Sequence, residues 1–298
     1  MIVLSEASRQ LTDSVSGREL NAATEAARLT GNVVYPIPQS FENCDSSADA
    51  LIHIPKQPTI RDAVWIGYIP SPEHYEFVYE AALARGVRLL NAPNRHLRAQ
   101  EFDKAYPFLT DLTPRTVIVT RPAQCREAAE LLGLPVFVKG IVQSRKARGW
   151  KACVAETLPE LERLMAAYLS LEGRTRGRVA IRALVPLRHA AKTVQGFPIG
   201  REYRVILLHG EVAGWGYYWD CEDAFGVPST KERDEILELA TEAARRLDVP
   251  YLAVDIGQLE DERWIVIETG DAQFSSFSQI PLLPLWHRIA TEFPTGGE

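Results

Sequence analysis

The chain has 298 residues, 46% of them hydrophobic and 24% charged, which describes a folded protein of about two average domains and excludes a disordered chain, a fibrous repeat or a staple-dependent miniprotein. A formal charge of -6, from 33 basic and 39 acidic residues, argues against wholesale binding of nucleic acid or anionic membrane, so any basic site must be local. Cys44, Cys125, Cys153 and Cys221 form no CxxC pair, the start MIVLSEASRQ lacks a signal-peptide pattern, and no apolar run is long enough to span a bilayer; reduced thiols in the cytoplasm are expected, with no structural zinc.

Short apolar runs alternate with helical patterns, the rhythm of an α/β protein. In the first third, strands are predicted near Ile2–Leu4, Val33–Ile37 and Val64–Ile69, with helices between them. The clearest helix is Pro72–Arg85, where Pro72 and Glu73 suit a first turn, Phe77, Val78, Ala81 and Ala84 make an apolar stripe, and Gly86 stops it. A strand Val87–Leu90 follows, and the turn-rich Asn91-Ala92-Pro93-Asn94 closes the unit. Next come a helix containing Phe102 and Lys104, a strand Thr116–Val119, a helix Pro122–Leu132 and a strand Val136–Lys139. After a basic loop the pattern gives a strand Ala152–Ala155, a helix opened by Thr157 and a strand Arg178–Val185. The final third has α+β character, with strands Glu202–Leu208, Val212–Trp219, Tyr251–Gln258 and Trp264–Thr269 and one helix, Lys231–Leu247.

The last two strands carry chemistry. If their hairpin is symmetric about the Asp261–Glu262 bond, Asp255 lies opposite Glu268, Ile256 opposite Ile267 and Val254 opposite Thr269. Val254, Ile256, Ile265 and Ile267 then share an apolar face, and the two acids share the other. Like charges directly opposite destabilise a sheet, so something positive should sit between them. A divalent cation suits these hard oxygen ligands; two solvated acids on an exposed face are the alternative. In the preceding hairpin His209-Gly210 makes a two-residue turn, with positive φ tolerated at the glycine, and Arg204 falls opposite Trp215. Such an arginine is either a stacked surface residue or, in an anionic site, a clamp for phosphate or a developing oxyanion.

The third feature is the acid-free stretch from Val136 to Lys151, with Lys139, Arg145, Lys146, Arg148 and Lys151. Charge runs are usually solvated. This one joins two strands and contains Ser144 and Gly149, so its amides and cations can fold over a polyphosphate. No P-loop, strand-linked GxGxxG or GxSxG elbow is present. The dispersed histidines support no catalytic role, and the tryptophans read as packing or pocket walls, with Trp150, Trp215 and Trp219 the candidates for a substrate side.

Taken in order, these segments resemble an ATP-grasp protein over nearly the whole chain. Leu90-Asn-Ala-Pro with Asp103-Lys104, followed by Pro114-Arg-Thr, resembles the start of the nucleotide domain. Phe137-Val-Lys139-Gly140 resembles the strand bearing a phosphate lysine, and Ile181-Arg-Ala-Leu-Val-Pro-Leu the hinge that meets adenine. Gly200-Arg-Glu-Tyr-Arg204 resembles the catalytic-arginine strand. Val254-Asp255-Ile and Val266-Ile-Glu268-Thr-Gly-Asp271-Ala-Gln273-Phe-Ser resemble the metal strands, in wording closest to the clade named for two arginines and a lysine. Two positions depart from the family pattern: Gly270 stands where an Asn is common, and Ala183 where a hinge acid is common.

The resemblance implies an ATP-grasp fold behind an N-terminal α/β domain, divided as 1–95, 96–182 and 183–298. It implies Arg204 and Lys139 as catalytic residues and Asp255, Glu268 and Asp271 as Mg²⁺ ligands. ATP would be held by Lys104, Lys139, Ser144, Lys146, Gly149, Arg182, Ala183, Leu184 and Val185, under a loop Ser144–Lys151 that closes over the triphosphate. The implied reaction activates a carboxylate of a small molecule or peptide as an acyl phosphate and joins it to an amine or similar nucleophile. A phosphotransferase and a non-catalytic ATP-binding module use the same site and stay open, a nucleic-acid partner is disfavoured by charge, and a homodimer is one option for assembly.

Overall fold

The computed structural model describes residues 1–7, 14–39, 47–222 and 225–292. Cys44 lies outside them; Cys125 and Cys153 are buried free thiols. The N-terminal unit comprises β1 (Ile2–Ser5), α1 (Val15–Leu29), β2 (Val33–Pro36), α2 (Ser47–Ala50), β3 (Arg61–Ile66), α3 (Pro72–Ala84) and β4 (Val87–Leu89). Its strands form a parallel sheet in the order β2-β1-β3-β4. Ser14 and Ser71 cap α1 and α3 by accepting from backbone amides, satisfying donors that the first turn leaves open. β3 begins and ends three residues earlier than the apolar run suggests. A Cβ on Gly67 would stand 2.5 Å from both Glu6 Oε1 and Trp65 Nε1, so glycine is required where the chain leaves the strand.

Glu6, at the carboxyl end of β1, is buried and accepts from Trp65 Nε1 (2.8 Å) and Tyr68 N (3.2 Å). Burial, opposed by those two bonds, pushes its carboxyl up to about 7. Between the ordinary carboxylate range and about pH 7 the folded state therefore holds a proton that the unfolded chain has released, and stability falls as pH rises through that window. A shift of that size corresponds to about 3 kcal/mol. Glu6→Gln should flatten this slope between pH 5 and 8 in urea titrations; an unchanged slope would refute the assignment.

The chain then enters α4 (Pro93–Gln100) and α5 (Phe102–Leu109). Pro93 opens a helix, not the expected boundary turn. Both helices pack on the C-terminal sheet, although they precede the middle one. The middle unit has β5 (Thr116–Val119), α6 (Cys125–Leu132), β6 (Val136–Gly140), β7 (Val154–Ala155), α7 (Leu158–Leu169), α8 (Glu172–Thr175) and β8 (Val179–Ala183), in an antiparallel sheet β5-β8-β6-β7. One face buries Val138, Ile181 and the α6–α7 pair; Lys139 and Arg182 stand on the other. The predicted strand at Ala152 is shorter because 150–152 is a 3₁₀ turn.

A hairpin of β9 (His189–Lys192) and β10 (Pro198–Gly200) leads to β11 (Glu202–Leu208), β12 (Glu211–Tyr217), α9 (Thr230–Leu247), β13 (Tyr251–Gln258), β14 (Trp264–Asp271) and α10 (Leu282–Glu292). The sheet order is β12-β11-β13-β14. A Ser229/Glu232 capping box starts α9, and Ile236, Ala240, Ala243, Ala244 and Leu247 form the stripe it buries against Val205, Leu207, Val254, Ile256 and Val266. The opposite face is divided. Ile206, Leu208, Tyr251 and Ala253 join the N-terminal unit and α10 in one core, while Glu202, Arg204, Asp255 and Glu268, further along the same face, border a cleft. Asn91 ties the units: its Nδ2 donates to Tyr251 O (2.8 Å) and its Oδ1 accepts from Tyr251 N (3.0 Å). Among the described residues no helix is long and apolar enough to cross a membrane.

Two registers differ from expectation by a bulge. Val254↔Thr269 and Asp255↔Glu268 pair as predicted, but the register then shifts and Ile256 pairs with Val266. The extra residue, Ile267, joins the cleft face, where its Cδ1 would lie 2.9 Å from a Cβ on Gly257. Likewise, His209 and Gly210 both take positive φ in the predicted turn, but a shift after Ile206 puts Arg204 opposite Gly216, with Trp215 beside Val205 on the other face.

Candidate active site

Two concavities meet at Lys146, which lines both. The first, about 400 Å³, is lined on its polar side by Ser144, Arg204, Asp255 and Glu268, and it is bordered by α1 and the Gly67–Ile69 turn of the N-terminal unit. The second, about 320 Å³ and mainly apolar, is walled by Arg182 through Leu187, Phe137, Trp150, Phe197 and Ile267.

A row of alternating charge crosses the floor. Arg204 and Asp255 are register partners on β11 and β13, and the guanidinium grips the carboxylate through two 2.7 Å bonds, Nε to Oδ1 and Nη2 to Oδ2. Nη1 donates to Ser276 O (2.8 Å) and Oγ (2.7 Å), and the guanidinium carbon lies 4.9 Å from the Tyr218 ring centroid. Asp255 faces Glu268 on β14, and Lys139, reaching over from the middle sheet, donates to Glu268 Oε1 at 2.5 Å. The charge expected between the two acids is thus shared by cations on either side of them. Burial, opposed by Glu268, leaves Lys139 below the ordinary lysine range. Burial also works against the charge on Arg204, but Asp255 more than offsets it and holds that pKa up.

Lys146 sits where the concavities join, with Nζ 3.3 Å from Glu202 Oε2 and 5.3 to 5.9 Å from the ring centroids of Tyr218, Trp219 and Phe197. Burial would lower its pKa, yet the Glu202 carboxylate holds it above the ordinary value. Arg182 stacks over Phe102 at 4.4 Å and donates from Nη1 to Ile267 O at 2.7 Å, while its buried Nε and Nη2 have no partner among the described residues. Burial pulls its pKa down to about 10.

Of the sequence-predicted residues, Arg204, Lys139, Ser144, Lys146, Asp255 and Glu268 come together at the polar cleft, and Arg182, Ala183, Leu184 and Val185 wall the apolar pocket. Three do not join them: Lys104, Asp271 and Gly149, which lines neither cavity. Lys104 is exposed on α5 and lines neither cavity; the α5 residue that faces the site is buried Phe102, under Lys139 and Arg182. Asp271 is fully buried on the other side of β14, because it lies an odd number of residues beyond Glu268. There Oδ2 pairs with His96 Nδ1 (2.9 Å) and accepts from Gln273 Nε2 (3.1 Å), so it cannot complete a metal site with the other two acids. The cleft-facing position is Gly270, which offers no side-chain oxygen. Among the described residues no group of three or more His, Cys, Asp or Glu side chains is placed to hold a metal.

The loop Ser144–Lys151 is folded as two 3₁₀ turns. Gly149 has φ +86°, and a Cβ there would stand 2.3 Å from Gln195 O. Gly149→Ala should therefore push the loop off the β9–β10 hairpin, destabilise the fold by about 1–3 kcal/mol and, through displaced Lys146, weaken the Mg-ATP binding that the resemblance implies. Titration of nucleotide with the purified variant checks this; unaltered affinity would separate the loop from the site. Sequence reasoning missed Glu202, Phe102, Tyr218 and Ile267. Glu202 was accessible to it, since a residue two before Arg204 on a strand must share its face.

The family model for the ATP-grasp domain, family 3 of the clade named for two arginines and a lysine, matches residues 130–289, more than half of the chain. The chain belongs to this ATP-grasp family. No curated protein matches it. Among solved structures, a RimK domain ATP-grasp protein from Sphaerobacter thermophilus DSM 20745 is 16% identical with TM-score 0.64, covering 99% of each chain. The ATP-grasp ligase PsnB, complexed with minimal precursor, Mg and ADP, is 15% identical with TM-score 0.58 over 98% of each chain. The D-alanine–D-alanine ligase from Bacillus anthracis complexed with ATP is 13% identical with TM-score 0.61, covering 91% of this chain and 84% of that one. The likeness establishes the ATP-grasp fold, an α/β architecture spanning nearly the whole chain.

Proposed function

We propose that the chain is an ATP- and Mg²⁺-dependent ligase that activates a substrate carboxylate as an acyl phosphate and passes the acyl group to an amine. The observation that carries this reading is the charge row Arg204–Asp255–Glu268–Lys139, set beside an apolar pocket and joined to it at Lys146. The apolar pocket suits adenine, with the Ala183–Val185 backbone as its edge. Lys146 and Lys139 would then meet the phosphates.

Asp255 and Glu268 fit Mg²⁺ as a pair, since this ion takes one or two carboxylates and fills its other positions with phosphate oxygens and water. Bound there, it neutralises charge on the transferring phosphoryl group. In the first step a carboxylate oxygen of the substrate attacks the γ-phosphorus, one O–P bond forms, and the bond to ADP breaks. In the second, a neutral amine nitrogen attacks the acyl carbon, the C–O bond to phosphate breaks, and the amine proton is lost. Arg204, on the wall of the polar cleft, would stabilise the oxyanion that develops on that carbon. Its clamp by Asp255 and Ser276 pre-organises it for that role. The D-alanine–D-alanine ligase and PsnB among the structural neighbours support the reaction class.

The test is ADP release by the purified chain with pooled carboxylates and amines, followed by mass spectrometry of the product. A new amide together with ADP and phosphate supports the ligase. ADP with a stable phosphorylated product identifies a phosphotransferase, and Mg-ATP stabilisation without turnover identifies a binding module.

A further inference from the structure

The charged side chains on the walls of the polar cleft are accounted for, with one exception. Lys146 is paired with Glu202, Arg204 with Asp255, and Glu268 with Lys139; Arg174 donates to Ser144 O at 2.7 Å. Glu19, on the second turn of α1, lines the same cleft from the N-terminal unit and has neither hydrogen bond nor ion pair among the described residues. It is half-buried, and burial, reinforced by Asp220 and opposed by Arg204, raises its carboxyl above the ordinary glutamate range. A half-buried carboxylate with no bonded counter-ion favours a cation brought to it. The surroundings narrow the kind of cation. Tyr68, Phe274 and Phe277 line the same cleft as Glu19, adding apolar area and π faces to its walls.

We propose that Glu19 recognises an alkylammonium group, carried next to an apolar or aromatic body, on the non-nucleotide substrate. The proposal rests on the ligase reading in one respect, that this half of the cleft is the substrate side. Here the substrate is selected by its positive charge from the N-terminal unit, while the sheet on the far side handles nucleotide and carboxylate. A substrate whose only charge is a carboxylate finds Glu19 repulsive, which builds discrimination into the cleft.

Binding is read by NMR saturation transfer, in the presence of Mg²⁺ and AMPPNP, for three probes of one shape: 2-phenylethylammonium, 2-phenylethanol and phenylacetate. Wild type should bind the ammonium at least about tenfold more tightly than the alcohol, with phenylacetate weakest. Glu19→Gln should erase the preference over the alcohol, and Glu19→Lys should make phenylacetate the best of the three. Equal affinities in wild type, or a preference retained in Glu19→Gln, would overturn the proposal. The nucleotide reading is monitored separately by the thermal shift that Mg-AMPPNP produces, which Glu19→Gln should leave intact. If that shift is missing in wild type the ligase reading falls, and ammonium selectivity is then read on the nucleotide-free chain.

Discussion

Arg204→Ala is expected to slow turnover by about 10²- to 10³-fold, the usual consequence of removing one oxyanion donor, while Mg-ATP still binds. Four of the five guanidinium N–H groups are occupied by Asp255 and Ser276. One Nη2 hydrogen is left to meet a charge that develops only during reaction, so the loss should fall on kcat more than on KM for ATP. The same substitution leaves Asp255 buried beside Glu268 with its clamp gone. Arg204 and Asp255 side chains are 11% and 6% exposed, and breaking a buried pair by removing one partner costs about 3–5 kcal/mol. Stability and rate are separable here. Adding Asp255→Ala should restore much of the lost melting temperature and none of the rate, because it removes the stranded charge without supplying a donor. Chemical denaturation and ADP-release kinetics on the three variants provide the check; a double variant as unstable as Arg204→Ala would show that the clamp is not the source of the destabilisation.

The parts of the site that depend on strand alternation were legible in the sequence, because a period of two leaves little freedom. Asp255 meets Glu268 as the hairpin symmetry requires, and Arg204 points to the same face. What alternation cannot reveal is an inserted residue. The bulge at Ile267 turns an expected core side chain into a wall of the apolar pocket, and the shift after Ile206 takes Trp215 away from Arg204. Motif likeness misled at Asp271 for the converse reason: an acid near the family position was accepted although parity puts it behind the strand. Lys104 failed similarly, since helix α5 buries Phe102, Ala105 and Leu109 and turns Lys104 to solvent. Contacts between distant segments left no trace that one chain could show. Lys139 to Glu268 and Lys146 to Glu202 join the middle unit to the C-terminal sheet, and only the fold brings them within bonding distance.

Lys139→Ala is expected to make Mg²⁺ alone a strong stabiliser of the folded chain. In the wild type the two facing carboxylates are already neutralised, Asp255 by Arg204 and Glu268 by Lys139, so a free divalent ion must compete with charges held in place. Lys139 is 2% exposed, and burial, opposed by Glu268, leaves its pKa below the ordinary lysine range. Removing Lys139 leaves Glu268 facing Asp255 without its bonded cation, at a cost of about 3–5 kcal/mol if the pair behaves as other buried pairs do. Two facing hard carboxylates suit Mg²⁺, and ligation to the native state alone adds stability with ion concentration. The melting temperature of Lys139→Ala should therefore start well below wild type and climb with millimolar Mg²⁺, where wild type changes little. ATP affinity should fall in the same variant, because the cation that would meet the phosphates is gone. Adding Glu268→Gln to Lys139→Ala should recover stability without Mg²⁺ and abolish the response to it. If Lys139→Ala and wild type respond to Mg²⁺ equally, the two acids do not form the metal pair, and the cation in the reaction must be carried by the nucleotide alone.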